Sequence, residues 1–227
     1  MNEFLSRFSL MIGEEKINKL ISKKVILFGV GGVGGAVAEM LVRSGVSNIT
    51  IVDFDKVDIS NINRQAVATI STIGKNKVDA MKEKLLDINN LLNIQIINNK
   101  LTQENIDSFH LSTFDYVIDC IDDVKAKKQL IKHCYSSNIT ILVSCGAGNR
   151  YKEIPAFQVA DIHKTEYDPL AKIIRKFCVQ EGIKKLNVVY TKQPAEKLDS
   201  TTIGSVVYYP TAMACVIACK VINDMIK

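Results

Sequence analysis

The sequence predicts an α/β protein: a doubly wound, mostly parallel sheet followed by a short mixed α/β C-terminal extension. Two observations predict it. From residue 24 onward, runs rich in Val and Ile alternate with segments of helical period, as strand–helix–strand units do. The 227 residues, 47% hydrophobic and 23% charged, form a chain able to bury a core, which excludes a disordered or fibrous protein. Strands are expected at 24–29, 48–53, 94–98, 116–120 and 140–144, and helices at 32–44, 75–88 and 124–136. Gly45 and Asn138 are the stops of the first and last of these helices, since both residue types tolerate left-handed backbone. Gly146-Ala-Gly-Asn149 closes this first unit, 1–150. The extension, 151–227, packs on the same domain, with a strand at 157–160, a helix at 169–181, a strand at 187–190 and a loop at 191–205. Pro210 then opens a last helix that reaches Met225.

Several classes fall away on composition. The first thirty residues carry Arg7, Glu14, Glu15, Lys16, Lys19, Lys23 and Lys24, so they lack the apolar core of a signal peptide. The apolar stretch 206–222 is interrupted by Pro210 and Lys220 and is shorter than the ~20 residues of a membrane span; a buried helix and no membrane partner are expected. Six cysteines include no Cys-x-x-Cys pair, which argues against a zinc ribbon and for reduced thiols in the cytoplasm. A net charge of +5 does not by itself diagnose nucleic-acid binding.

Gly29-Val-Gly31-Gly32-Val-Gly34 follows an expected strand and opens an expected helix, the context that gives a glycine fingerprint its meaning. Gly29 permits a tight turn, Gly31 and Gly32 let backbone N–H groups approach phosphate, and Gly34 lets the helix press on the sheet. Asp53, nineteen residues beyond Gly34, stands where a carboxylate accepts hydrogen bonds from ribose hydroxyls. To this point NAD and ATP fit equally well on a Rossmann-like sheet. Asn61-Ile-Asn-Arg64-Gln65 and Gly74-Lys-Asn-Lys77 favour ATP, because a carboxylate attacking a triphosphate is repelled unless fixed cations offset the field. Asp119-Cys-Ile-Asp122-Asp123 ends the fourth strand, beyond which ligands of open α/β sheets sit. Asp122 is the expected Mg²⁺ ligand, since Mg²⁺ takes one or two carboxylates plus phosphate oxygens. Asp123 can cap the next helix, and Asp119 is equally a metal ligand or a structural group.

These residues, together with the run ending at Asp55 (IVDFD), SNINRQ, GKNKVDAMKEKLLDIN and DCIDD, resemble the ubiquitin-activating-enzyme-like (ThiF/MoeB/HesA) adenylating family over roughly residues 5 to 150. The stretch from Ala160 through Arg175-Lys176 to Tyr190 is similar to that family's tRNA threonylcarbamoyladenosine dehydratase branch. The resemblance implies an ATP- and Mg²⁺-dependent enzyme that adenylates the threonylcarbamoyl carboxylate of tRNA and closes the ring with loss of AMP. By motif position it makes Gly32, Asp53, Asn61, Arg64, Lys77 and Asp122 ATP contacts, with Arg64, Lys77 and Asp122 carrying catalysis. It also implies a homodimer and leaves room for a sulfur-transfer protein partner. Relatives that activate sulfur carriers usually hold two Cys-x-x-Cys zinc pairs, which are missing here. Members also reach an N-terminal arginine across the dimer from an Arg-Phe-x-Arg pattern. Here Arg7-Phe-Ser-Leu10 lacks the second arginine.

Lys164, Lys172, Arg175, Lys176, Lys184, Lys185 and Lys192 stand against Glu166, Asp168 and Glu181, a local excess of four positive charges. Such a patch suits RNA phosphates, and its first six cations are the expected tRNA contacts. Tyr167 and Tyr151 are candidates for stacking on a splayed base, with core packing the favoured fate of both. His110, His133 and His163 share no metal spacing; only His163 adjoins the basic segment. Cys145 is expected to be a buried thiol, because ring closure by the substrate's own amide nitrogen needs no enzyme thiolate. The competing readings are a ubiquitin-like or sulfur-carrier activating enzyme, a nicotinamide oxidoreductase and a non-catalytic nucleotide-binding scaffold.

Overall fold

A computed structural model describes residues 3–227. Two short helices, α1 (Ser6–Ile12) and α2 (Glu14–Ser22), precede the first strand. The strand–helix alternation gives no sign of them, although Ile17 and Leu20 of α2 bury an apolar stripe of helical spacing. There follow β1 (Lys24–Phe28), α3 (Gly32–Arg43), β2 (Asn48–Val52), α4 (Lys77–Ile88), β3 (Asn93–Ile97), β4 (Tyr116–Asp119), α5 (Val124–Ser136) and β5 (Ile141–Ser144). The chain ends with β6 (Gln158–Asp161), α6 (Pro169–Gln180), β7 (Asn187–Tyr190) and α7 (Tyr208–Met225). Gly45 and Asn138, the expected stops, both have positive φ.

The seven strands form one sheet in the order β3-β2-β1-β4-β5-β7-β6. All neighbours are parallel except the last pair, where β6 runs antiparallel to β7. The extension therefore prolongs the same sheet, with β7 lying directly against β5. Alternation along β1 divides the core, as the two-residue period of a strand requires. Val25 and Leu27 face a layer that includes Leu41 of α3, Met81 of α4 and Ile217 of α7. Ile26 and Phe28 face the opposite layer, with Leu130 of α5 and Phe109. Farther along that side, Val143 and Val188 pack on Ile174 of α6. The expected double winding is present: the chain runs from β1 to β2 on one side and from β4 to β5 on the other, which opens a crevice at the carboxyl ends of β1 and β4.

Two boundaries differ from expectation for local reasons. The helix expected from residue 75 starts at Lys77, because Lys56 and Asn76 form an antiparallel bridge and the Lys75 carbonyl accepts a bond from Val57 N–H. The last helix starts at Tyr208, which places Pro210 third; a residue there needs no N–H, since the first four helical amides have no intrahelical acceptor. Among the described residues no helix is long and apolar enough to cross a membrane.

Candidate nucleotide site

A cavity of about 520 Å³ occupies the crevice beyond the strand ends. Its first wall grows from β1. Gly29 leaves the strand with φ +86, and a Cβ there would lie 2.7 Å from the Cys120 carbonyl oxygen across β4, so only glycine allows this turn. Asp53, at the end of β2, fastens the loop: its Oδ2 accepts Val30 N–H at 2.6 Å and its Oδ1 accepts Asp55 N–H at 2.9 Å. Each oxygen keeps a second lone pair for a hydroxyl. Burial raises the Asp53 pKa, opposed by these amides and by the Lys77 charge. Gly31 and Gly32 line the cavity at the start of α3, which has no side-chain cap, so its positive end faces the space where an anion is best held. Gly34 does not line it: a Cβ there would run into the Gly29 carbonyl oxygen.

Arg64 and Lys77 both reach this cavity. Lys77 is only 6% exposed, and its Nζ donates to Asp55 Oδ2 at 2.7 Å. Arg64 Nη1 donates to the Ser60 carbonyl at 2.7 Å and to Asn63 Oδ1 at 2.9 Å. Arg64 is thus held within its own loop, and Lys77, first in α4, by the loop that follows β2. Gln65 lines the cavity as a buried amide whose Oε1 has no partner. Asn61 stands outside the lining. Its Oδ1 accepts Asp58 N–H at 3.1 Å in a capping box that shapes the Arg64 loop, so the structure gives it a supporting place rather than a contact.

At the end of β4 the three aspartates separate cleanly. Asp119 is fully buried and pairs with Lys127 Nζ at 2.9 Å, which assigns it a structural role under the floor. Asp123 caps α5 by accepting the N–H groups of Lys125 and Ala126, and it pairs with Lys100 at 2.8 Å. Asp122 lines the cavity, is exposed, and makes no hydrogen bond or ion pair among the described residues. A free hard oxygen beside a phosphate-binding loop fits Mg²⁺. No cluster of three or more His, Cys, Asp or Glu able to hold a metal occurs among the described residues, so Mg²⁺ there must draw its other ligands from phosphate and water.

The opposite wall was not foreseen. Arg150 and Asp168 both line the cavity, 4% and 3% exposed. Arg150 donates to the Gly146 and Gly148 carbonyls at 3.1 Å and to the Gln193 carbonyl at 2.8 Å. Its Nη2 lies 3.8 Å from Asp168 Oδ2 and has no hydrogen-bond partner. Asp168 accepts Gly146 N–H at 3.0 Å and caps α6 through Ala171 N–H at 2.9 Å. Burial raises the Asp168 pKa against the pull of those amides and of Arg150. The Asp168-Pro169 cap was a readable signal, but its link to residue 150 was not.

The basic segment splits. Lys164, Lys172, Lys176, Lys184 and Lys185 are exposed. Arg175 is half-buried, and its Nη1 donates to the Thr165 carbonyl and hydroxyl, which makes it a clamp on the 165 turn. His163 Nε2 lies 2.9 Å from the Ile183 carbonyl, an internal contact. The expected packing of the two tyrosines is also corrected: Tyr167 is 70% exposed and Tyr151 55% exposed. Cys145 is buried, and burial pushes its thiol pKa well above the usual range; Cys120 is pushed up to about 12. Neither supplies a thiolate at neutral pH. Arg7 lies exposed on α1, outside the lining of its own chain's cavity.

Known proteins can be set beside this geometry. The ThiF family pattern matches residues 5–224. The tRNA threonylcarbamoyladenosine dehydratase of Bacillus subtilis is 42% identical over 189 residues, 83% of this chain and 74% of that protein. The protein of the same name in Escherichia coli is 33% identical over 166 residues, covering 73% and 62%. The crystal structure of the E. coli protein in complex with ATP superimposes with a TM-score of 0.90 at 27% identity, covering 99% of this chain and 96% of that one.

Proposed function

The chain belongs to the ThiF family, and from that premise we propose that it adenylates the carboxylate of threonylcarbamoyladenosine in tRNA and closes it to the cyclic nucleoside. The observation that carries the reading is one cavity holding a glycine loop, Asp53, Arg64, Lys77 and a free Asp122 at the switch point of a parallel sheet. The ATP and AMP complexes of the E. coli protein support the nucleotide.

The first step joins a carboxylate oxygen of the substrate to the α-phosphorus and expels pyrophosphate. Arg64 and Lys77 offset the charge that builds on the α-phosphate and on the departing pyrophosphate. Asp122 would hold Mg²⁺, which when bound would neutralise phosphate charge. In the second step the substrate's amide nitrogen attacks the activated acyl carbon and releases AMP. The lost carboxylate oxygen leaves on AMP and the amide proton goes to solvent, so the nucleoside loses one water. Confining nucleophile and acyl group in one molecule supplies the proximity advantage, and no cysteine is required. The exposed lysines of α6 and the following loop engage tRNA phosphates. A homodimer is the assembly we infer, supported by the apolar residues Leu10 and Met11, 88% and 81% exposed on α1.

Incubating threonylcarbamoylated tRNA with the protein, ATP and Mg²⁺, then weighing the released nucleosides, tests the reading. A mass loss of one water is expected, and an unchanged mass with ATP consumed counts against it. Activation of a carrier-protein C-terminus is a second reading, favoured by 32% identity over 174 residues to the molybdopterin-synthase adenylyltransferase of Haemophilus influenzae. Pyrophosphate exchange stimulated by a Gly-Gly-tailed protein and not by tRNA would select it.

A further inference from the structure

Arg150 and Asp168 meet inside the cavity wall, and the residue beside each turns outward as an exposed tyrosine. Tyr167 is the more telling. Its φ is +55, a left-handed conformation that costs a non-glycine residue free energy. Its ring is 70% exposed, so core burial does not offset that cost, and among the described residues its hydroxyl makes no hydrogen bond. Tyr151, also without a hydroxyl contact, carries Lys152 Nζ 5.6 Å from its ring centroid. The chain holds two exposed aromatic faces, each next in sequence to a residue of the cavity wall.

The charges around them suit a polyanion. Lys164 and Lys172, three residues before and five after Tyr167 in sequence, are exposed. The neighbouring acids are engaged: Glu166 with Lys192 at 3.3 Å, Glu153 with Gln193 Nε2 at 2.9 Å, and Asp168 buried on α6. Lys152 pairs with Glu196 at 2.9 Å. Single-stranded nucleic acid is held by this combination of aromatic faces for bases and cations for phosphates, and RNA loops present unstacked bases.

We propose that Tyr167, together with Tyr151, is the stacking platform for the unpaired bases that flank the reacting nucleoside. It rests on the tRNA reading above and deepens it: the platform selects a looped, splayed substrate over a duplex and delivers its modified base to the cavity. Tyr167 is a positioning residue that stays clear of the chemistry.

The chain contains no tryptophan, so the Tyr167→Trp variant carries a single fluorophore at the platform. Titrating it with a seven-base-loop RNA hairpin and, separately, with a blunt duplex of equal length should give saturable quenching by the hairpin alone. In turnover, Tyr167→Ala should raise KM for tRNA by roughly tenfold with kcat and KM for ATP unchanged, and Tyr167→Phe should restore it. Thermal melting should not move, because alanine and tyrosine meet similar strain at this φ. No hairpin quenching, equal quenching by the duplex, or an unchanged tRNA KM in Tyr167→Ala overturns the platform. Hairpin quenching by a protein that forms no cyclic nucleoside leaves the platform standing and overturns the activity.

Discussion

The two walls of the cavity are built on opposite principles. The wall around Gly29, Asp53, Arg64 and Lys77 is a loop tied to the next strand by one carboxylate, with Arg64 anchored within its own loop and Lys77, first in α4, on Asp55 of the loop after β2. The Lys77–Asp55 pair there leaves its carboxylate half exposed. The wall around Arg150 and Asp168 buries both charges and ties them to the Gly146 turn and the Gln193 carbonyl. An exposed partner can be lost at little cost to the fold. A buried one leaves the remaining charge stranded in a poorly solvating interior. The first wall is therefore where substitution should cost activity, and the second where it should cost stability.

The largest effect should come from the second wall. Asp168→Ala removes the partner of a buried guanidinium and the cap of α6 together, and should destabilise the protein by about 3 kcal/mol, read as a lowered urea midpoint. A midpoint equal to wild type would erase the contrast between the walls. Next, Arg64→Ala and Lys77→Ala should each lower turnover by about a hundredfold, with the urea midpoint almost unmoved in Arg64→Ala; unchanged turnover in both would refute their roles. The smallest effect sharpens the comparison at the cavity rim. The hydrogen bond from Lys100, followed by the α5 amides, holds the Asp123 carboxyl below its ordinary value. Its folded pKa being depressed, the stability it contributes is present above about pH 4 and is lost as pH falls through the lowered value. Asp123→Ala should cost about 1 kcal/mol at neutral pH and nothing in acid, and a cost independent of pH would show that the cap acts without its charge.

The same contrast explains what the sequence reveals. Gly29 and Asp53 are legible because a strand, a glycine turn and a helix N-terminus follow one another directly, and Arg64 and Lys77 because fixed cations beside that unit suit a polyphosphate. The double winding is legible for the same reason, since Val- and Ile-rich strands declare themselves one by one. Arg150 and Asp168 sit where the Gly146 turn, the cap of α6 and the Gln193 carbonyl meet. No spacing rule encodes that meeting. Asn61 and Arg175 have the right chemistry for ligand contacts, but their side chains are spent on neighbouring backbone. Tyr151 and Tyr167 mislead in the other direction, because aromatic residues usually pack and these do not.

The central claim is that Arg64 and Lys77 are cations kept at the cavity edge for a polyphosphate. A crystal structure of this chain with ATP and Mg²⁺ tests it most directly. The account predicts that Arg64 exchanges the Ser60 carbonyl for phosphate oxygens and that Lys77 Nζ turns from Asp55 toward the nucleotide, with Asp122 on the metal. Both cations remaining on their present partners, with the triphosphate bound elsewhere, would contradict it.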